Sequence, residues 1–419
     1  MRASASTFLL LNLLLAGIAP AADSLNVRLV GFYDTPGEAW DVAVVGDTAY
    51  VVEEGALRVI SVADPAHPVE VGHCDVPGWA RGVAVVGDLA CVADCDSHVR
   101  VISVANPANP VEVGYCGTPD YAIAIAVGGD YAYVAEASSG LRVISVADSS
   151  HPVEIGYLDT PHWAYDVVVS GDYAYVADCD GGMRIISVAD PAHPVEVGFY
   201  DTPGWAEGVA VSGEYAYVAD AGALRVISVA DPAHPLEVGH LDSLFYAPQR
   251  VEVTGGLAFV ASWGGLQVIS VADPSHPVEV GYYYRDTLVD FRLNAVTLVY
   301  RQGTLRGLRP DYGYLAGYRG LYIFQFYGAG VEETPHRPTG AVEANAATVV
   351  RGVLMMPGAN GAWRKANDVL LDAAGRMVME LRPGANDVSR LMPGVYFVRE
   401  EPQATIHKPQ AVRKVIITR

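Results

Sequence analysis

The chain has 419 residues, 51% of them hydrophobic, and a formal net charge of −21, from 48 Asp and Glu against 27 Lys and Arg. So acidic a chain lacks the basic footprint that a phosphate backbone demands, which excludes nucleic acid as a partner. Beyond the first 22 residues no stretch approaches the ~20 apolar residues that span a bilayer as a helix, so no transmembrane segment is expected.

Residues 1–22 carry Arg2, an apolar run from Phe8 to Ile18 and the small-x-small site Ala19-Pro20-Ala21, and they read as a signal peptide. The expected product is secreted or attached to the outer cell surface. From residue 60 onward one sentence recurs, ISVADPAHPVEVG and near-copies, with starts at Ile60, Ile102, Ile144, Ile186, Ile227 and Ile269, spaced 42, 42, 42, 41 and 42 residues apart. Self-similarity at that period indicates a solenoid, a propeller or an array. Each period holds four short apolar or alternating runs, for example 207–213, 214–220, 223–231 and 235–242, with no helical periodicity. Gly-Asp or Gly-Glu pairs such as Gly46-Asp47 and Gly213-Glu214 suit a two-residue hairpin between the first two runs. Asp-Pro-Ala-His-Pro separates the last two, because proline cannot continue a ladder.

Four antiparallel strands in about 42 residues describe one propeller blade. The three-strand set occurs at about 40–63, 81–105, 123–147, 165–189, 207–230 and 249–272, then in a degenerate form ending at 311–326. The fourth strand also has a copy, VRLVGFYDTP (27–36), ahead of the first set. The two series are out of phase by one, so the N-terminal strand is expected to close the last blade of a seven-bladed all-β propeller over 23–330, leaving no open edge. The core LRVISVADP (57–65) and its cousins resemble the LVIVD repeat family over roughly 27–328. That resemblance implies a surface or secreted β-propeller and almost no chemistry.

A polar linker, 331–346, precedes a C-terminal domain, 347–419, whose short alternating strands predict a small β-sandwich. LLDAAGR (370–376), Gly384-Ala385-Asn386, PGVYFVR (393–399) and the terminal run from Lys414 to Arg419 resemble the C-terminal sorting domain of type IX secretion substrates. The resemblance implies passage through an outer membrane by that export machinery, although the first strand lacks an Asn-Pro opening.

Two repeated carboxylate positions, Glu70 with its equivalents on the outer strand and Asp64 with its equivalents in the turn before it, are expected to be solvated charges that protect blade edges. His67, His151, His193, His234 and His276 share one turn position, spread around the ring, and are expected to be turn residues and not ligands to a metal. Five cysteines, with no pair at zinc or redox spacing, read as buried thiols. No metal or other cofactor is expected.

The variable loops emerge on one face, and repeat proteins bind through such faces. An acidic series, Glu53, Asp94, Glu136, Asp178 and Asp220, ends the second strands; an aromatic series, Trp79, Tyr121, Trp163, Trp205 and Tyr246, lies between units. Rings beside carboxylates suit a glycan or peptide ligand. The competing expectation, favoured because the residues recur in every unit, is that the aromatics pack between blades and the acids cap loop amides. A third candidate is the symmetry-breaking segment 282–319, a basic island that includes Arg285, Arg292 and Arg301. No catalytic motif is present, so a non-enzymatic binding or adhesion propeller, with a glycan or an extracellular protein as partner, is expected. The alternative is a polysaccharide-active hydrolase or lyase using carboxylates such as Asp178 and Asp220.

Overall fold

A computed structural model of the protein describes residues 23–245, 247–284, 292–299 and 312–326, and seven short strands between 348 and 417. The expected signal peptide, Tyr246, Arg285 and Arg301 lie outside the described residues. The chain divides into two compact units, Met1–Glu332 and Glu333–Arg419.

One repeat explains the first unit. Strands Ala122–Gly128, Tyr131–Glu136, Gly140–Ser145 and Val153–Leu158 form an antiparallel four-stranded sheet in chain order. Their Val, Ile and Tyr content suits a pleated surface. The second and third strands are buried almost throughout, because both faces of the sheet are covered, and strands covered on both faces read as continuous apolar runs. The outer strand is partly exposed. Gly129, with φ +59, makes the tight turn between the first two strands at no steric cost.

The repeated proline turn has a second role beyond ending a strand. A Cβ built on Gly156 of the outer strand would lie 2.3 Å from the Pro191 carbonyl oxygen of the next unit's turn, and the same construction puts Gly72 2.4 Å from the Pro107 oxygen. Gly72, Gly114, Gly156, Gly198 and Gly239 are therefore each the flat surface on which the following unit's turn docks, whereas the equivalent Gly281 faces the Leu25 carbonyl.

Seven inner strands surround the axis: Ala39–Val45, the latter half of Val69–Val86, Ala122–Gly128, Asp166–Ser170, Ala206–Ser212, Pro248–Thr254 and Leu293–Val299. Each neighbours the next, and the last neighbours the first. The expectation of seven separate blades is corrected, since these strands are carried on six sheets. The reason is Val69–Val86, 18 residues long, which pairs with Thr48–Ser61 at one end and with Leu89–Asp94 at the other, so two sequence units share one six-stranded sheet.

Closure follows the phase argument. Val27–Asp34 pairs antiparallel with Gly320–Phe326 and completes the sheet formed with Tyr312–Gly317 and Leu293–Val299. An additional strand, Asp23–Leu25, pairs with Val278–Tyr284 and gives the neighbouring sheet a fifth member that the sequence reading missed. The core lies between consecutive sequence units. Ile144 and Val146, for example, pack with Cys91, Val99 and Val101 of the preceding one. Full burial of each such side chain stabilises by about 1.5–3 kcal/mol.

In Glu333–Arg419 the described strands are again all β. Thr348–Val350, Val412–Ile417, Gly394–Arg399, Val369–Leu371 and Met377–Glu380 form one sheet, the first pair parallel, and Val353–Met356 pairs with Gly384–Asp387.

Candidate binding face

The acidic series is a structural element. Glu53, Asp94, Glu136, Asp178 and Asp220 are at most 2% exposed, and each meets an arginine of the third strand of its own unit. Arg100 Nε donates to Asp94 at 2.8 Å, Arg142 Nε to Glu136 at 3.0 Å and Arg225 Nε to Asp220 at 2.9 Å. Loop amides use other carboxylate lone pairs: Gly37 N–H donates to Glu53 at 2.8 Å and Asp120 N–H to Glu136 at 3.2 Å. Burial raises the Glu136 and Asp178 pKa values, against the lowering effect of hydrogen bonds from Thr118 and Thr160 and of the arginines. Asp178 and Asp220 are therefore enclosed, with an arginine beside each, and neither faces a substrate space.

The arginines also correct the reading of the outer-strand glutamates. Arg58 reaches Glu70 at 3.0 Å and Arg100 reaches Glu112 at 3.0 Å, and these two glutamate side chains are only 21% and 30% exposed. They are partners in an acid–arginine–acid triad and not solvated edge charges. The turn histidines behave as expected: His67 and His193 each contact, at 2.9 Å, the aspartate three residues earlier in their own turn. Of the cysteines only Cys91 is fully buried, its thiol pushed up to about 12 by burial, and the other four are half-buried.

The aromatic series overturns the packing expectation. Trp79, Tyr121, Trp163 and Trp205 are 59%, 54%, 48% and 56% exposed, so they stand on the loop face and do not fill the space between units. Of the basic island, Arg292 lies over the rings of Trp263 (4.8 Å) and Tyr318 (5.9 Å), and Arg319 pairs with Asp34 at 3.3 Å. Stacking of this kind fixes Arg292 between the sixth unit and the last, while Arg319 belongs to the closure.

A group that the sequence reading missed lies just inward. Inside this aromatic collar seven side chains, one per unit, line the mouth of the central channel: Trp40, Arg81, Ile123, Tyr165, Glu207, Gln249 and Asn294, of which Arg81, Ile123, Tyr165 and Glu207 come two residues after Trp79, Tyr121, Trp163 and Trp205. The available signal was variability, since an otherwise regular strand start differs in every unit at this one position. Trp163 and Tyr165 have ring centroids 6.2 Å apart, which ties collar to mouth. Arg81 stacks on Trp40 with its guanidinium carbon 4.5 Å from the ring centre. Gln249 Nε2 donates to Glu207, whose carboxyl burial pushes up to about 7.

A model of the LVIVD repeat matches 36–76, 77–118, 119–160, 163–202, 203–243 and 247–285, more than half of the chain. The chain belongs to the LVIVD repeat family. The fold is similar to the WD40 β-propeller domain of Doa1, with a TM-score of 0.56 at 11% identity, covering 72% of this chain and 97% of that one. It is also similar to the computationally designed Ika8 protein, with a TM-score of 0.51 at 8% identity, covering 71% and 99%. At such identities the likeness concerns fold alone. No curated protein matches the chain.

Next to the mouth the LVIVD propeller holds a half-open cavity of about 200 Å³ that Asp41, Asp166, Arg250 and Glu252 help to line. Asp41 accepts Val42 N–H at 2.8 Å and, from the next inner strand, Val83 N–H at 2.9 Å. Asp166 repeats the arrangement with Val167 at 2.8 Å and Val209 at 3.0 Å, and it pairs with Arg250. These two aspartates staple neighbouring inner strands of the LVIVD ring.

Glu252 differs: burial pushes its carboxyl from 4.5 up to about 7. A carboxyl with a raised folded-state pKa stabilises the fold below its unfolded value, and that contribution is lost as pH rises through the folded value. The unfolding midpoint is therefore expected to fall between pH 4.5 and 7 through this group and Glu207. Glu252→Gln should flatten part of that decline in a pH series of thermal unfolding, and an unchanged slope would contradict the assignment.

Proposed function

We propose that this chain is an exported binding propeller, secreted or held at the outer cell surface, that takes a glycan on its loop face. The observation that carries the reading is the half-exposed series Trp79, Tyr121, Trp163 and Trp205, set one per unit around the channel mouth. Exposed rings pack on the apolar faces of sugars, and repetition around a ring lets one chain engage several sugar units. Residues 1–22 and the C-terminal strands support delivery, the first as a signal peptide and the second as a sorting domain of the type IX kind.

The test is a glycan and peptide array probed with the full chain and with a Trp79→Ala, Trp163→Ala, Trp205→Ala variant. The wild type is expected to retain a defined set of glycans, and the variant to bind them at least about tenfold more weakly, as expected for lost aromatic contacts worth on the order of 1 kcal/mol each. Unaltered binding by a folded variant would remove the collar from the site.

A further inference from the structure

The channel mouth carries charge for which the fold has little use. Each third-strand arginine faces a carboxylate of its own unit, and Arg250 is held by Asp166. Arg81 instead lies over Trp40 and near the Cys95 thiol, with no carboxylate partner among the described residues. A guanidinium stacked by its face keeps its edge donors in plane, the geometry that takes a carboxylate with two parallel hydrogen bonds. Arg250 lies close enough for Arg81 to disfavour its charge, so an anion between the two would relieve that repulsion. The mouth measures about 30 Å³. That volume suits one small group and not a sugar ring.

We propose that the mouth seats the carboxylate of an acidic sugar, a uronate, with Arg81 as its anchor and Glu207 as the group opposing it, while the sugar rings rest on the collar outside. The inference rests on the glycan reading above and names its ligand class. Glu207 and Arg81 both act on Tyr165, one on each side of it in ring order, and they are not paired with each other. Of the other charged or titratable groups, Arg250 lines the same mouth, Cys179 feels the Glu207 charge and Asp220 lies opposite the neighbouring Ala206, while Asp41, Asp166 and Glu252 line the cavity next to it. Of these, Asp220 is matched by Arg225, and Asp166 and Asp41 by Arg250. Glu252 lies deeper and titrates in the same range as Glu207, so it serves as the control. A protonated Glu207 tolerates the ligand carboxylate, and an ionised one repels it.

The experiment is calorimetric titration of the full chain at pH 6 and pH 8 with a galacturonate trimer, the matching neutral galactose trimer and an acidic peptide. The uronate should bind at pH 6 and lose about tenfold in affinity at pH 8, the scale of one added like charge within several ångströms. Arg81→Gln and Arg81→Lys, with unfolding midpoints confirming the fold, should remove the preference for uronate over galactose. Glu207→Gln should keep the pH 6 affinity at pH 8, and Glu252→Gln should not. Equal binding of the neutral trimer, or indifference to Arg81, overturns the proposal and leaves the glycan reading intact if Trp205 is still required. Binding of the peptide alone through Arg81 overturns the ligand class, and binding of no glycan in either assay removes both readings.

Discussion

Arg142→Ala is expected to destabilise the propeller by about 3–5 kcal/mol, the cost of leaving a buried charge without its partner. Arg142 is 8% exposed in its side chain and donates to Glu136 and Asp159 at 3.0 Å each, with Glu154 at 3.9 Å and the Tyr157 ring 4.7 Å from its guanidinium carbon. Glu136 is fully buried, and the amide of Asp120 cannot neutralise it. The chain contains its own compensated version: in the sixth unit Gln267 replaces the arginine and Ser262 the acid, with Gln267 Nε2 donating to Glu279 and to the Ser243 carbonyl. Arg142→Gln combined with Glu136→Ser should accordingly recover a substantial part of the loss. Chemical denaturation followed by tryptophan fluorescence measures both, and a single-variant loss below about 1 kcal/mol would reduce the pair to the surface class.

Gly156→Ala is expected to cost about 1–3 kcal/mol, the range for forcing an extra methyl into a packed contact. The added Cβ meets the backbone oxygen of Pro191 at 2.3 Å and that of Ala192 at 2.9 Å, and a backbone oxygen has no flexible end to move aside. Gly117→Ala is the matched control, because a Cβ there meets nothing within 4 Å. Thermal unfolding of the two variants should separate them by several degrees. Equal midpoints would mean that the inter-unit dock yields freely.

Much of the fold was legible because a 42-residue repeat prints its strand periodicity six times over and its phase reveals who closes the ring. The fused sheet went unread although one residue marks it: Val76 is buried where Thr35, Thr118, Thr160 and Thr202 each donate a hydroxyl to a loop carbonyl two residues on, so the loop in 69–86 lacks the bond that bends the others away. At the site, the acids were visible but their arginines went unread. The signal was covariation within the chain, in which the arginine position becomes Gln267 in the same unit where the acid becomes Ser262. Collar exposure could not be read from residue type, since Trp and Tyr serve a core or a surface equally well. The mouth residues escaped because attention to recurring residues hides a position whose distinguishing mark is that it never recurs.

The seam between Val27–Asp34 and Gly320–Phe326 sets Val27 opposite Phe326 and includes a hydrogen bond from Arg28 to Gln325, 297 positions apart. Such distant pairing forms late, after the local hairpins. Every other unit finds its next neighbour as soon as the following 42 residues appear, whereas the opening strand waits for almost the whole ring. The seam thus acts as a length checkpoint: a chain cut short before residue 320 leaves Ile60 and Val62 without the Leu321 and Ile323 that pack with them, so a truncated ring exposes core instead of closing over it.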